Sequence, residues 1–147
     1  MQTKHYTRLF FAIILFATLG GCKKDKDQTR TDILASGQWR ITAFTMSPPR
    51  DFDLDGDLDS DIYALLDACQ KDNYFIFKKD GKLEFNEGTT KCDPFDPQTE
   101  IQDWSFVNEE KEIIIDGDRG TIMELSKNKL RLQMNLLGST AEVTFGR

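Results

Sequence analysis

From Asn73 onward, apolar and polar residues alternate. Leu130, Leu132 and Met134 interleave with Arg131, Gln133 and Asn135, and Ala141, Val143 and Phe145 with Thr140, Glu142 and Thr144. A period of two marks an antiparallel sheet with one wet face. The pattern predicts strands over 74–78, 82–86, 102–107, 112–115, 121–125, 129–135 and 140–145. Lys79-Asp80-Gly81 and Asp116-Gly117 carry hairpin signals. Gly117 and Gly120 read as one hairpin-like turn, with Arg119 as a turn residue. An earlier run, Trp39–Met46, is rich in aromatic and β-branched residues and makes an eighth strand. Ser47-Pro48-Pro49 is expected to end it, because proline cannot donate to a ladder.

Two helical pieces are expected before the run of strands. Asp32–Ser36 reads as a single turn closed by Gly37. Ser60 or Asp61 caps a helix through about Gln70, whose stripe of Ile62, Leu65, Leu66 and Cys69 has one-face spacing. Eight meandering strands favour a closed barrel, since closure removes exposed edges. The fold class is therefore all-β, an eight-stranded antiparallel meander barrel with one short helix after the first strand.

Composition fits one such domain. The 147 residues are 39% hydrophobic and 30% charged, enough apolar content for a packed core. The formal net charge of −6 argues against a nucleic-acid partner. The one histidine is His5, so residues 22–147 hold no Ser-His-Asp triad and no histidine-ligated metal.

His5 falls in a sorting segment. Residues 1–8 carry Lys4 and Arg8 without an acid, and Leu9–Leu19 is uncharged. Eleven residues suit a signal-peptide core, whereas a membrane-spanning helix needs about 20. Leu19-Gly20-Gly21-Cys22 resembles the bacterial lipoprotein box. The implied division is 1–21 signal peptide, 22–31 lipidated tether with Cys22 carrying the lipid, and 32–147 barrel domain. The membrane partner is reached through that anchor, on the periplasmic face of an outer membrane or at the cell surface. Loss of Lys4 and Arg8 takes the net charge from −6 to −8.

With Cys22 lipidated, Cys69 and Cys92 remain. An even number in an oxidising compartment reads as one disulfide. Two buried thiols or a redox pair are the alternatives, but there is no C-x-x-C spacing and no histidine to activate a thiolate.

Gly37-Gln38-Trp39 at the start of the first strand resembles the G-x-W of lipocalins. The block Cys69-Gln70-Lys71-Asp72-Asn73 through Asp80-Gly81 to Cys92-Asp93, followed by Trp104, is similar to small lipocalin-like lipoproteins of Bacteroidetes. The resemblance covers residues 32–147. It implies a lipocalin-like barrel in which Trp39 plugs one end, with Arg147 or Arg131 packed over it.

Candidate chemistry is limited. Phe75, Phe77, Phe85, Trp104, Phe106 and Phe145 either line a ligand cavity or simply fill the core. Glu84, Glu87, Asp103 and Glu124 are the candidate carboxylates for glycoside chemistry. They alternate with apolar residues as solvent-facing positions do, so no catalytic residue is assigned. The sharper motif is Asp51-Phe52-Asp53-Leu54-Asp55-Gly56-Asp57-Leu58-Asp59-Ser60-Asp61. It resembles calcium loops of the EF-hand, dockerin and integrin-repeat kind. Asp51, Asp53, Asp55 and Asp59 offer carboxylate oxygens, Asp57 a backbone carbonyl, and Gly56 the bend. Position twelve is Ile62 in place of the usual glutamate, so Asp61 or a carboxylate from elsewhere must complete the shell. The expected protein is a non-catalytic, lipid-anchored envelope protein with a calcium cofactor, binding a small-molecule or glycan ligand. A structural module of an envelope complex and a hydrolase accessory component are the other readings.

The anchor is directly testable. Cys22→Ala is expected to abolish acylation, leaving either uncleaved precursor or soluble protein. A processed, acylated species that still partitions into detergent refutes it.

Overall fold

A computed structural model describes residues 28–147; the expected signal segment 1–21, Cys22 and the tether through residue 27 lie outside the described residues. The chain forms nine strands: β1 Gln38–Arg50, β2 Asp59–Asp61, β3 Tyr74–Phe77, β4 Lys82–Asn86, β5 Thr99–Val107, β6 Glu112–Ile115, β7 Asp118–Leu125, β8 Lys129–Leu136 and β9 Ser139–Gly146. Each of β3 to β8 pairs antiparallel with the next, β1 pairs with β3, and a β1–β9 ladder closes the ring. Eight strands thus make a closed antiparallel barrel, with the three-residue β2 an addition outside the ring.

The alternation read from the sequence becomes an inside and an outside. Along β9, Ser139, Ala141, Val143 and Phe145 are buried while their neighbours are more exposed. Leu130 and Leu132 of β8 have no exposed surface. These side chains join Trp39, Phe77, Leu83, Trp104 and Ile113 in one core cluster. Burial of a single such side chain stabilises the fold by roughly 1.5–3 kcal/mol, so this cluster is what closes the chain into a ring.

The two ends differ. At one lie the β3–β4, β5–β6 and β7–β8 turns together with α1 (Arg30–Leu34). Thr29 and Asp32 form a capping box there, which starts α1 before the expected Asp32. The other end, the mouth, carries the long β1–β3 insertion and the β4–β5 loop. Its two tight turns, Asp116-Gly117 and Leu137-Gly138, have positive φ at both central residues, the conformation that matches strand twist in a two-residue hairpin.

Three expectations need correction. First, Pro48 and Pro49 do not end β1. The β1–β9 register stops at Ser47↔Thr140, and the β1–β2 register is irregular between Thr45 and Arg50. The prolines occupy the irregular stretch, where no ladder donor is required. Second, the helix over 61–70 is two pieces, α2 Ile62–Leu65 and α3 Ala68–Lys71, because Leu66 adopts extended backbone and Asp67 starts a new capping box. The stripe therefore does not share one face. Ile62 is fully buried, whereas Leu65 is exposed and Cys69 half-buried. Third, Arg119 and Gly120 belong to β7, since Asp116-Gly117 alone completes the turn.

Cys69 of α3 and Cys92 of the β4–β5 loop form a disulfide, with Cα atoms 5.3 Å apart. Asp72 reinforces the link. Its Oδ2 accepts hydrogen bonds from Thr89 N at 3.0 Å, Thr89 Oγ1 at 2.7 Å and Thr90 N at 3.0 Å. These donors, the Thr89 hydroxyl first, hold the Asp72 carboxyl below its ordinary pKa. Gly88 has φ +69°, and a Cβ there would lie 2.5 Å from Asp72 O, so only glycine lets the two segments meet this closely. The disulfide closes a loop between residues 23 apart. Cys69→Ser/Cys92→Ser is accordingly expected to lower the unfolding free energy by ~3 kcal/mol in urea titration. An unchanged midpoint would show that the Asp72 contacts alone hold the two insertions together.

Candidate functional site

The closed end is sealed by one assembly. Trp39, fully buried, donates its indole N–H to Leu34 O at 2.8 Å. The Arg147 guanidinium lies 3.7 Å from the centre of the Trp39 ring, and its nitrogens donate to Ile33 O at 2.7 Å and Ser36 Oγ at 2.5 Å. Arg147 thus clamps α1 onto the tryptophan through a cation–π contact and through carbonyls at the helix end. Burial depresses its pKa. Arg131, the other candidate for this position, instead faces Glu142 at 3.5 Å. Lys79 of the β3–β4 turn secures α1 from a second side through Asp32, 2.5 Å away. That ion pair, with the Thr29 cap, lowers the Asp32 pKa to about 2.

Toward the mouth the interior is not filled. A cavity of about 180 Å³ is bounded by Phe75 and Phe77 of β3, Leu83 of β4, Ile113 and Ile115 of β6, Asp118 and Gly120 of β7, Leu132 and Met134 of β8, and Phe145 of β9. Of the six aromatic residues picked from the sequence, Phe75, Phe77 and Phe145 line it. Phe85 lies behind Phe75, ring centres 5.3 Å apart. Trp104 packs edge-on against Phe77 and Phe106, and its indole N–H is held by Lys78 O and Lys82 O at 2.9 and 3.1 Å. Phe85, Trp104 and Phe106 are thus packing residues. The space exists because Gly120, buried on the inner face of β7, brings no side chain. A Cβ built there meets nothing closer than 3.7 Å.

Sequence reasoning missed Asp118 and Gly120. The signal was present: carried back in phase from Ile122, the alternation puts both on the inward face of β7. Reading Gly120 as part of a turn hid it.

The candidate carboxylates do not converge. Glu84 pairs with Lys78 at 2.8 Å, Asp103 with Lys82 at 2.6 Å and Glu124 with Lys129 at 3.0 Å, each a partly exposed surface ion pair. Glu87 lies in the β4–β5 loop beside Gly88. Acids separated in this way present no facing carboxylate pair of the kind glycoside hydrolysis uses.

The aspartate loop lies at the mouth between β1 and β2. Asp51, Asp53 and Asp59 each bring a carboxylate oxygen within 4.8 Å of the others. Asp51 Oδ1 is buried without a hydrogen-bond partner. Asp59 Oδ2 accepts from Phe52 N at 3.0 Å, which folds the loop back on itself. Gly56 takes the bend with φ +100°. Two residues of the expected set, Asp55 and Asp61, stand apart from this trio. Asp55 lies outside the trio, its Oδ1 closing a turn with Asp57 N at 2.8 Å. Asp61 caps α2 through Ala64 N at 3.2 Å. Ile62, in the twelfth position, is a core residue with no exposed surface.

The eight-stranded meander barrel is thus plugged at one end by Trp39 under Arg147 and hollow toward the other. The family model for the lipocalin-like domain matches residues 36–132. The chain therefore belongs to the lipocalin-like domain family. The match ends within β8, and the structure supplies the rest of β8 and the closing strand β9. Among curated proteins and solved structures no match is found.

Proposed function

We propose that this protein is a non-catalytic binding protein, held at a membrane through lipid on Cys22, that takes one small apolar-bodied molecule into the barrel. The observation that carries the reading is the cavity. Cavities of about 150 Å³ lined by aliphatic and aromatic side chains stay dry and bind benzene-sized molecules. At about 180 Å³, the space between Phe75, Phe77 and Phe145 takes one ring with a short substituent. The plug at Trp39 and Arg147 closes the far end, so the ligand enters from the mouth.

Gly120 gives a clean test. In NMR titration toluene should shift resonances of Phe75, Ile115 and Phe145, saturably. Gly120→Val should abolish those shifts while leaving stability equal or higher, because the added methyls fill empty space. Shifts that persist in Gly120→Val, or their absence in the parent protein, would defeat the reading.

Calcium is the cofactor we assign to the loop at 51–59. The support is threefold: carboxylates of Asp51, Asp53 and Asp59 within one ligand shell's reach, a buried unpartnered oxygen on Asp51, and the bend at Gly56. Hard oxygen donors of this kind suit calcium, and an incomplete carboxylate set suits affinities of ~10⁻⁴–10⁻³ M. The role is structural, ordering a loop whose like charges repel. Calcium at a hundred times its Kd should stabilise the fold by about 2.7 kcal/mol, read as a raised Tm. Asp51→Asn/Asp59→Asn should remove the shift; a Tm indifferent to calcium in the parent protein would exclude the site.

A further inference from the structure

The cavity wall has one charged residue among apolar ones. Asp118 stands opposite Ile115 in the β6–β7 register, and paired residues of an antiparallel ladder point to the same side. Ile115 packs on the core, so Asp118 shares its inward face, at the step where the wall meets the mouth. Glu112, on the adjoining strand, pairs with Arg119 at 2.9 Å, so the one base beside Asp118 in the chain is already engaged. Asp118 has no ion pair or side-chain hydrogen bond among the described residues. Asp118 is exposed at the rim yet is part of the cavity lining, so its carboxylate is free to meet a ligand that enters.

The surroundings have the same sign. The mouth segments 51–73, 87–98 and 116–118 contain thirteen carboxylates and two bases, Lys71 and Lys91. The remaining described residues carry ten acids and twelve bases. Field lines of one sign are therefore concentrated at the opening, which attracts cations and repels anions. Inside, Phe75, Phe77 and Phe145 present aromatic surface, which tolerates a nearby cation.

We infer that the barrel selects amines: small molecules with one aromatic or branched apolar body and a protonated amino group held by Asp118 at the mouth. The inference rests on the cavity being a ligand site, and it adds the ligand's charge. The apolar body fills the space left by Gly120. The ammonium stays at the rim beside the exposed Asp118 carboxylate, keeping part of its hydration, so little desolvation opposes binding.

Three probes of nearly equal shape separate this from simple apolar uptake: 2-phenylethylamine, 2-phenylethanol and phenylacetate, titrated by calorimetry at pH 7. An ion pair at an exposed rim should favour the amine over the alcohol by about threefold, and phenylacetate should bind weakest. Asp118→Asn should bring the amine to the level of the alcohol and leave the alcohol unchanged. Raising the salt concentration removes the long-range contribution of the rim but should leave most of the preference. Equal binding of amine and alcohol, or a preference that survives Asp118→Asn, overturns the inference while the cavity reading stands. No binding of any of the three overturns both.

Discussion

Eight antiparallel strands closed on themselves enclose a fixed volume, and the chain must fill that volume or leave it empty. Here it does both. The closed half is packed by Leu34, Trp39, Phe77, Leu83, Trp104 and Leu130. The two indoles fit because each N–H reaches a backbone carbonyl, removing the cost of burying a donor. In the other half, one glycine on β7 withholds the side chain that would complete the packing. Plug and cavity are therefore two answers to the same geometric constraint, separated by the length of a strand.

The mouth is built on a different principle. Its two insertions expose Leu54, Leu58 and Phe95, and Ile62 is the one large apolar side chain they bury fully. Covalent and polar links compensate: the Cys69–Cys92 bridge, the three donors on Asp72, and Arg50, whose Nε donates to Ser139 Oγ at 3.0 Å beside the β8–β9 turn. A rim held this way keeps its shape with an empty centre, as an opening must. It also tolerates a concentration of aspartates that a packed surface would not.

Strands with a clear period of two were legible from residues alone, because alternation records which side chains a sheet buries. The same rule, applied one step too timidly at β7, assigned Asp118–Gly120 to a turn and lost the residues that shape the cavity. Helical spacing misled in the opposite direction. Ile62, Leu65, Leu66 and Cys69 fit a single face on paper, but a second capping box at Asp67 breaks the helix, and local hydrogen bonding overrides periodicity in so short a segment. The prolines of β1 misled because their effect depends on whether a partner strand is present, and that is a property of the ladder and not of the dipeptide. In the aspartate loop, which carboxylates meet depends on Asx turns that spacing does not encode.

The ring is sealed by its first and last strands, from Arg40↔Gly146 to Ser47↔Thr140. Before β9 arrives, β1 has only two register partners in β3, Gln38↔Ile76 and Trp39↔Phe75. A chain made from its N-terminus must therefore carry β1 and its tryptophan unburied while every intervening hairpin forms from local contacts. Loop-closure entropy falls on this final docking, so folding is expected to be slow relative to helical domains of similar size. The interval in which the inner face is open is when the polypeptide most needs a holdase, and sequence changes in β9 should affect yield more than those in any interior hairpin.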